Sequence, residues 1–314
     1  MTGGNRGTLR VAYTSEGFPG GLVRASGELQ TNWDELLWAA LTVGRPNTAY
    51  VFRHNYASYH EALFRLSLVR MALGQRTSGG PLYRTEAFKS LDPTEKGAVS
   101  YFLGMAVCKL FASRLLATPW LLHVDVFRDQ LDPTVLGGRS RPDLVGQDGR
   151  GRWHAFECKG RSSVPNAEDK RKAKEQAQRL LRVNSTNCSL HVGAISYFRQ
   201  EALVFHWRDP EPEAPEALDP IRINVTGEMW RFHYEPAVPL VVHAERRFLW
   251  EARKALDIDV QIHREVLPLL LEGSWAAAHL RARELRNVFA AEGFQADGLR
   301  VVAGDSWRTE GQLG

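Results

Sequence analysis

The stretch that most constrains this chain is residues 139–161, where two short apolar runs flank Asp148-Gly149-Arg150-Gly151. Asp-Gly and glycine accept positive φ at little cost, so this tetrapeptide predicts a tight turn between two antiparallel strands. Side chains on a strand alternate between faces. From Trp153 to Lys159 that rule sets Glu157 and Lys159 on one face and Phe156 and Cys158 on the other. Asp143, directly after Pro142, falls on the partner strand and can lie across the hairpin from Glu157. Two carboxylates and one ammonium are therefore expected together on a rigid sheet. The bland reading is an exposed ion pair contributing little. Ala155-Phe156 and Gly160 argue against it, because they set the strand near the core, where unpaired charge is costly.

The surroundings of this hairpin are basic. Residues 139–182 hold twelve Lys/Arg against six Asp/Glu, a surplus larger than the +4 of the whole 314-residue chain. A basic surround with acids at its centre suits a polyanionic substrate, and a solvated basic helix is the other reading of the same run. With 44% hydrophobic and 24% charged residues, disorder is not expected to dominate. Cys108, Cys158 and Cys188 show no paired spacing, so neither a disulfide framework nor a zinc site is expected. The chain opens without a charged-then-apolar leader, and no apolar run approaches membrane-spanning length. A cytoplasmic protein with no membrane partner is the expectation.

Elsewhere, Arg10 to Tyr13 reads as a short strand, Glu35 to Val43 and Ser58 to Leu73 as packing helices, and Gly74 to Pro81 as a loop. Asp92-Pro93-Thr94-Glu95 opens a long helix: Asp92 caps it, Pro93 fits its first position and Glu95 completes a capping box. Leu121 to Phe127 alternates like a strand. Asn166 to Val183 reads as a helix and Leu190 to Phe198 as a buried strand. The acidic, proline-rich residues 209–220 form a linker or exposed loop. Ile221 to Val242 reads as two or three strands, from the alternation of Trp230, Phe232 and Tyr234. Arg246–Leu256, Val260–Leu271 and Trp275–Ala291 read as helices, with Ser274 capping the last and Gly293 stopping it. The expected division is a mostly helical accessory region (1–90), a core (91–208), the linker, and a β/helical accessory region (221–314).

Pro142-Asp143, then Glu157-Cys158-Lys159 on the following strand, resembles the PD-(D/E)XK motif of the restriction-endonuclease-like nucleases. The helix, strand, strand, strand, helix, strand order over roughly residues 92–200 matches that superfamily's αβββαβ core. Residues 1–90 and 221–314 match nothing in it, and no subfamily is indicated. The resemblance implies an α/β fold on a mixed sheet, with helical additions at both ends. It implies metal-dependent hydrolysis of phosphodiester bonds, foremost by a DNA endonuclease of restriction, defence or repair type. The alternative is a non-catalytic nucleic-acid-binding module on the same fold.

Two close carboxylates repel and are poised for a divalent cation. Asp143 and Glu157 suit Mg²⁺, with Mn²⁺ able to substitute, and the family pattern adds the backbone carbonyl of Cys158 as a ligand. Lys159 would orient the attacking water or stabilise charge at the phosphate. The family often places an extra acid on the preceding helix and a glutamine on the following one. Glu95 and Gln176 stand at those places, although a capping role explains Glu95 equally well and Gln176 also reads as an ordinary surface residue. Arg139, Arg141 and Arg161 bracket the motif and, with Lys172, are candidate phosphate contacts. Asp125 is a lesser candidate beside the metal. The terminal regions would serve substrate recognition, homo-oligomerisation or regulation.

Overall fold

The computed structural model describes residues 7–44, 56–131, 141–209 and 220–308. Strands β1 (Leu9–Glu16) and β2 (Ser26–Thr31) lead into helices α1 (Trp33–Thr42) and α2 (Tyr56–Ala72). Short strands β3 (Leu73–Gln75) and β4 (Leu82–Arg84) and helix α3 (Glu86–Ser90) follow, then the long helix α4 (Pro93–Leu116). Next come β5 (Trp120–His123), β6 (Leu144–Gln147), β7 (Trp153–Arg161), helix α5 (Ala167–Gln178), β8 (Leu180–Val183) and β9 (Thr186–Asn187). After β10 (Leu190–Arg199), β11 (Ala202–Arg208) and β12 (Ile221–Ile223), the chain turns mainly helical. Its helices there are α6 (Arg231–Tyr234), α7 (Val238–Val242), α8 (Arg247–Leu256), α9 (Leu267–Leu271) and α10 (Trp275–Ala291). They are interleaved with the strand pair β13 (Ile258–Ile262) and β14 (Leu299–Ala303).

The fold is mixed α/β. One large sheet runs in the order β2-β1-β11-β10-β7-β6-β5, with β4 attached to β11 and β3 to β4. β10 is parallel to β7 and β1 is parallel to β11, while the other pairs along that path are antiparallel. The expected helix, strand, strand, strand, helix, strand order is present from α4 to β10, with the short β8 and β9 inserted before the last strand.

Three local features set this frame. At the start of α4, Asp92 accepts the backbone N–H of Thr94 (2.6 Å) and Glu95 (3.2 Å), and Glu95 accepts that of Asp92 (3.2 Å). The capping box is thus formed. In the β6–β7 turn, Asp148 accepts the N–H groups of Arg150 and Arg152, each at 2.9 Å, and Gly151 takes φ +83°. Third, glycines let both helices lie close to the sheet. A Cβ on Gly160 would stand 1.6 Å from Ser100 O, and one on Gly104 2.8 Å from Gly160 N, so α4 presses directly on β7. On the opposite face, a Cβ on Gly193 would meet Lys174 N at 2.6 Å, so α5 comes equally near β10.

Several expectations are corrected. The strand at Leu121–Phe127 ends at His123, and Val124–Gln130 is 3₁₀ turn, started where His123 Nδ1 accepts the Asp125 N–H (3.1 Å). The helix expected through Val183 stops at Gln178, and Leu180–Val183 pairs with β12. Residues 221–242 hold one three-residue strand and then helical turns. Phe232, His233 and Tyr234 are all buried, so the aromatic alternation reflects continuous burial. The helix expected at Val260–Leu271 is strand β13 followed by α9. Ile258, Val260 and Ile262 are buried with the period of two proper to a strand. Ser274 makes no side-chain cap bond. The N-terminal region contributes β1 and β2 to the large sheet, beyond the short strand expected at Arg10–Tyr13. Finally, α4 is long and apolar enough to cross a bilayer by length and composition, contrary to expectation, and 72% of its most apolar window is buried inside the fold. The expected linker at 209–220 lies almost wholly outside the described residues.

Candidate active site

β6 and β7 bring the three charged groups of the hairpin together. Asp143 stands just before β6, and its Oδ2 accepts the Cys158 N–H at 2.8 Å. Glu157 projects from β7 to within hydrogen-bonding range of the Asp143 carboxyl. One period along the same face, Lys159 Nζ donates to Glu157 Oε1 (2.6 Å) and to Gln176 Oε1 of α5 (2.7 Å). Gln176 therefore belongs to the cluster. It reaches β7 because Gly193, paired with Glu157 in the β7–β10 ladder, lets α5 sit low on this face.

The electrostatics are those of a buried, mutually repelling pair. Burial raises the pKa of Glu157 well above the usual carboxylate range, the Asp143 charge adds to it, and Lys159 offsets part. Asp143 is raised as well, first by burial, with the Cys158 N–H and Lys159 pulling the other way. Glu157 is 4% exposed, and its Oε2 has no protein hydrogen-bond partner. Two carboxyls in contact need a proton or a cation between them, and an orphaned buried oxygen beside them is a free donor for one.

This donor set fits Mg²⁺ or Mn²⁺, which take hard oxygen ligands, commonly one or two carboxylates completed by water and substrate. Asp143 and Glu157 would supply the carboxylates. In a strand, a residue's N–H and C=O point to the same side, so the Cys158 carbonyl faces the Asp143 side as its N–H does. Among the described residues, no group of three or more His, Cys, Asp or Glu side chains converges as a metal cluster, so the set is a two-carboxylate one.

The other predicted residues lie around this centre with different partners. The Glu95 carboxylate accepts the Asp92 N–H of its own helix cap, and no hydrogen bond joins it to Asp143 or Glu157. Arg141 donates to Asp125 at 2.6 Å, which ties both to the rim of the site. Arg161 pairs with Asp169 (2.8 Å) and Lys172 with Glu168 (3.2 Å), both on the outer surface. Arg139 lies outside the described residues.

The sequence reading missed Tyr101 and His123. Tyr101 on α4 is 38% exposed, and its hydroxyl lies 3.4 Å from His123 Nε2. Burial, with the charges of Asp143, Cys158, Asp125 and Glu157 behind it, raises the Tyr101 pKa and keeps the hydroxyl a donor. Burial also lowers the His123 pKa to about 4, leaving a neutral imidazole. The one available signal was a tyrosine within a largely apolar helix, which is common. Cys108 and Cys158, distant in sequence, meet between α4 and β7 as buried free thiols.

No family model matches this chain, and comparison with curated proteins and with solved structures likewise gives no match.

Proposed function

We propose that this protein is a metal-dependent nuclease that hydrolyses phosphodiester bonds, DNA being the foremost substrate. The observation that carries the reading is the approach of the Asp143 carboxyl, just before β6, to hydrogen-bonding range of the Glu157 carboxyl on β7, with the Lys159 ammonium 2.6 Å from Glu157 Oε1. The PD-(D/E)XK pattern read from the sequence supports the same function.

In this reading Asp143 and Glu157 hold a divalent cation, with Mg²⁺ the expected metal. When bound, it supplies charge neutralisation at the phosphate and acidifies a coordinated water. Lys159, fixed between Glu157 and Gln176, presents one ammonium edge to the scissile group. It orients the attacking water and stabilises charge on the phosphate oxygens. Gln176 positions Lys159. Tyr101 offers a neutral O–H donor at the mouth of the site, suited to a phosphate oxygen. Arg141, held by Asp125, contributes positive potential at the rim.

The test is cleavage of supercoiled, linear and single-stranded DNA and of RNA by the full-length protein, in Mg²⁺ or Mn²⁺ against EDTA, beside Asp143→Asn. Metal-dependent cleavage lost in the variant supports the reading. Salt-sensitive binding without cleavage under any metal would favour the non-catalytic module.

A further inference from the structure

We propose that a second site, a cleft of about 660 Å³ between α10 and the β6–β7 turn, binds a phosphate monoester of mononucleotide size. It stands at the far end of β6 from the carboxylate pair. Gly149 of the β6–β7 turn lines it, two residues past Gln147 at the end of β6, whereas Asp143 precedes the first residue of β6, so Gln147 alone is about 13 Å from Asp143 at ordinary strand rise.

The cleft is built around two guanidinium groups. Arg283 and Arg286, one helical turn apart on α10, both line it. Arg283 Nη1 lies 3.4 Å from Gln147 Oε1, a long contact to a neutral amide. Arg286 Nη1 lies so close to Gly149 that a Cβ there would stand 2.7 Å away, so the turn glycine makes room for the guanidinium. Neither arginine has a carboxylate partner among the described residues. The one acid in the wall, Glu284, pairs with Arg281 instead (3.2 Å). Like charges at this spacing repel, and an anion between them removes the repulsion.

The remaining walls define what the anion carries. Leu280, 57% exposed, lines the cleft together with Pro119 and an edge of the largely buried Trp120. Asn287 and Ser113 supply neutral hydrogen-bonding groups. Guanidinium forks match phosphate oxygens in two-point geometry. The volume far exceeds that of inorganic phosphate, and the apolar wall suits a flat base or ring. Such a group can come from a free nucleotide or from the phosphorylated end of a nucleic-acid strand.

The experiment titrates the full-length protein, in EDTA, with adenosine 5′-monophosphate, adenosine, inorganic phosphate, and an oligodeoxynucleotide with and without a 5′-phosphate. The wild type is compared with Arg286→Ser and Asp143→Asn. Arg286 is on the surface, so its loss leaves the fold intact. The expected result is binding of the nucleotide, not of adenosine, weakened about tenfold or more in Arg286→Ser and unchanged in Asp143→Asn. Arg286-dependent binding confined to the 5′-phosphorylated oligonucleotide also supports the site and identifies a strand end as its ligand. The proposal is overturned if no phosphate ester binds, if Arg286→Ser binds as the wild type does, or if Asp143→Asn alone abolishes binding.

Discussion

Lys159 and Gln176 are joined by a 2.7 Å hydrogen bond, and the same ammonium lies 2.6 Å from Glu157 Oε1. An ammonium fixed at two points has lost most of its rotamer freedom before substrate arrives, which is what a positioned charge requires. Lys159→Ala is expected to cost about 10²–10⁴ in kcat. Gln176→Ala should cost about tenfold with KM little changed, because only the positioning of Lys159 is lost. Single-turnover rates with circular dichroism as a fold check measure both. Equal losses in the two variants would contradict the positioning role.

The raised pKa values of Asp143 and Glu157 give a linkage with a definite sign. The folded state favours their protonated forms, so stability drains away as pH climbs above the ordinary carboxylate range, and a bound cation restores it. Mg²⁺ or Mn²⁺ should therefore raise the thermal midpoint more at neutral pH than within the ordinary carboxylate range, and Glu157→Gln should abolish the increment. Differential scanning calorimetry decides this, and a pH-independent increment would speak against the carboxyl pair as the binding site.

Gly160→Ala should destabilise the protein by about 3 kcal/mol, because its Cβ would enter the Ser100 carbonyl and push α4 off β7 beside Lys159. Denaturant unfolding reads the loss. A neutral result would mean that α4 can shift at no cost.

His123, His206 and His233 all have pKa values lowered to about 4, chiefly by burial. Each binds its proton more readily when unfolded, so the contribution of these three imidazoles is full above about pH 6.5 and falls progressively toward pH 4, opposite in sign to that of the carboxyl pair. His206→Gln should therefore flatten the fall in thermal midpoint between about pH 6.5 and 4, and an unchanged slope would contradict the burial of this imidazole.

How much of this was legible beforehand divides along physical lines. The hairpin and the long helix were readable because their signals are local: Asp148-Gly149 in the turn, the Asp92–Glu95 cap, and strand alternation from Trp153. The contact of Asp143 with Glu157 followed from register alone. β11 was missed because its turn, Gln200-Glu201, adopts positive φ at both residues without the Asn or Gly that usually marks such a turn. Residues 221–242 were misread because burial on all sides erases periodicity, as at Phe232–Tyr234. Tyr101 and His123 join the site through the crossing of α4 over the sheet, which no local pattern encodes.

The most direct measurement is single-turnover cleavage of plasmid DNA in Mg²⁺ by the wild type and by Glu157→Gln, in which the replacement amide keeps the shape of the side chain. The account predicts cleavage by the wild type that EDTA stops, and a loss of about 10³-fold or more in the variant with its fold unchanged. Cleavage at the wild-type rate by Glu157→Gln would contradict it.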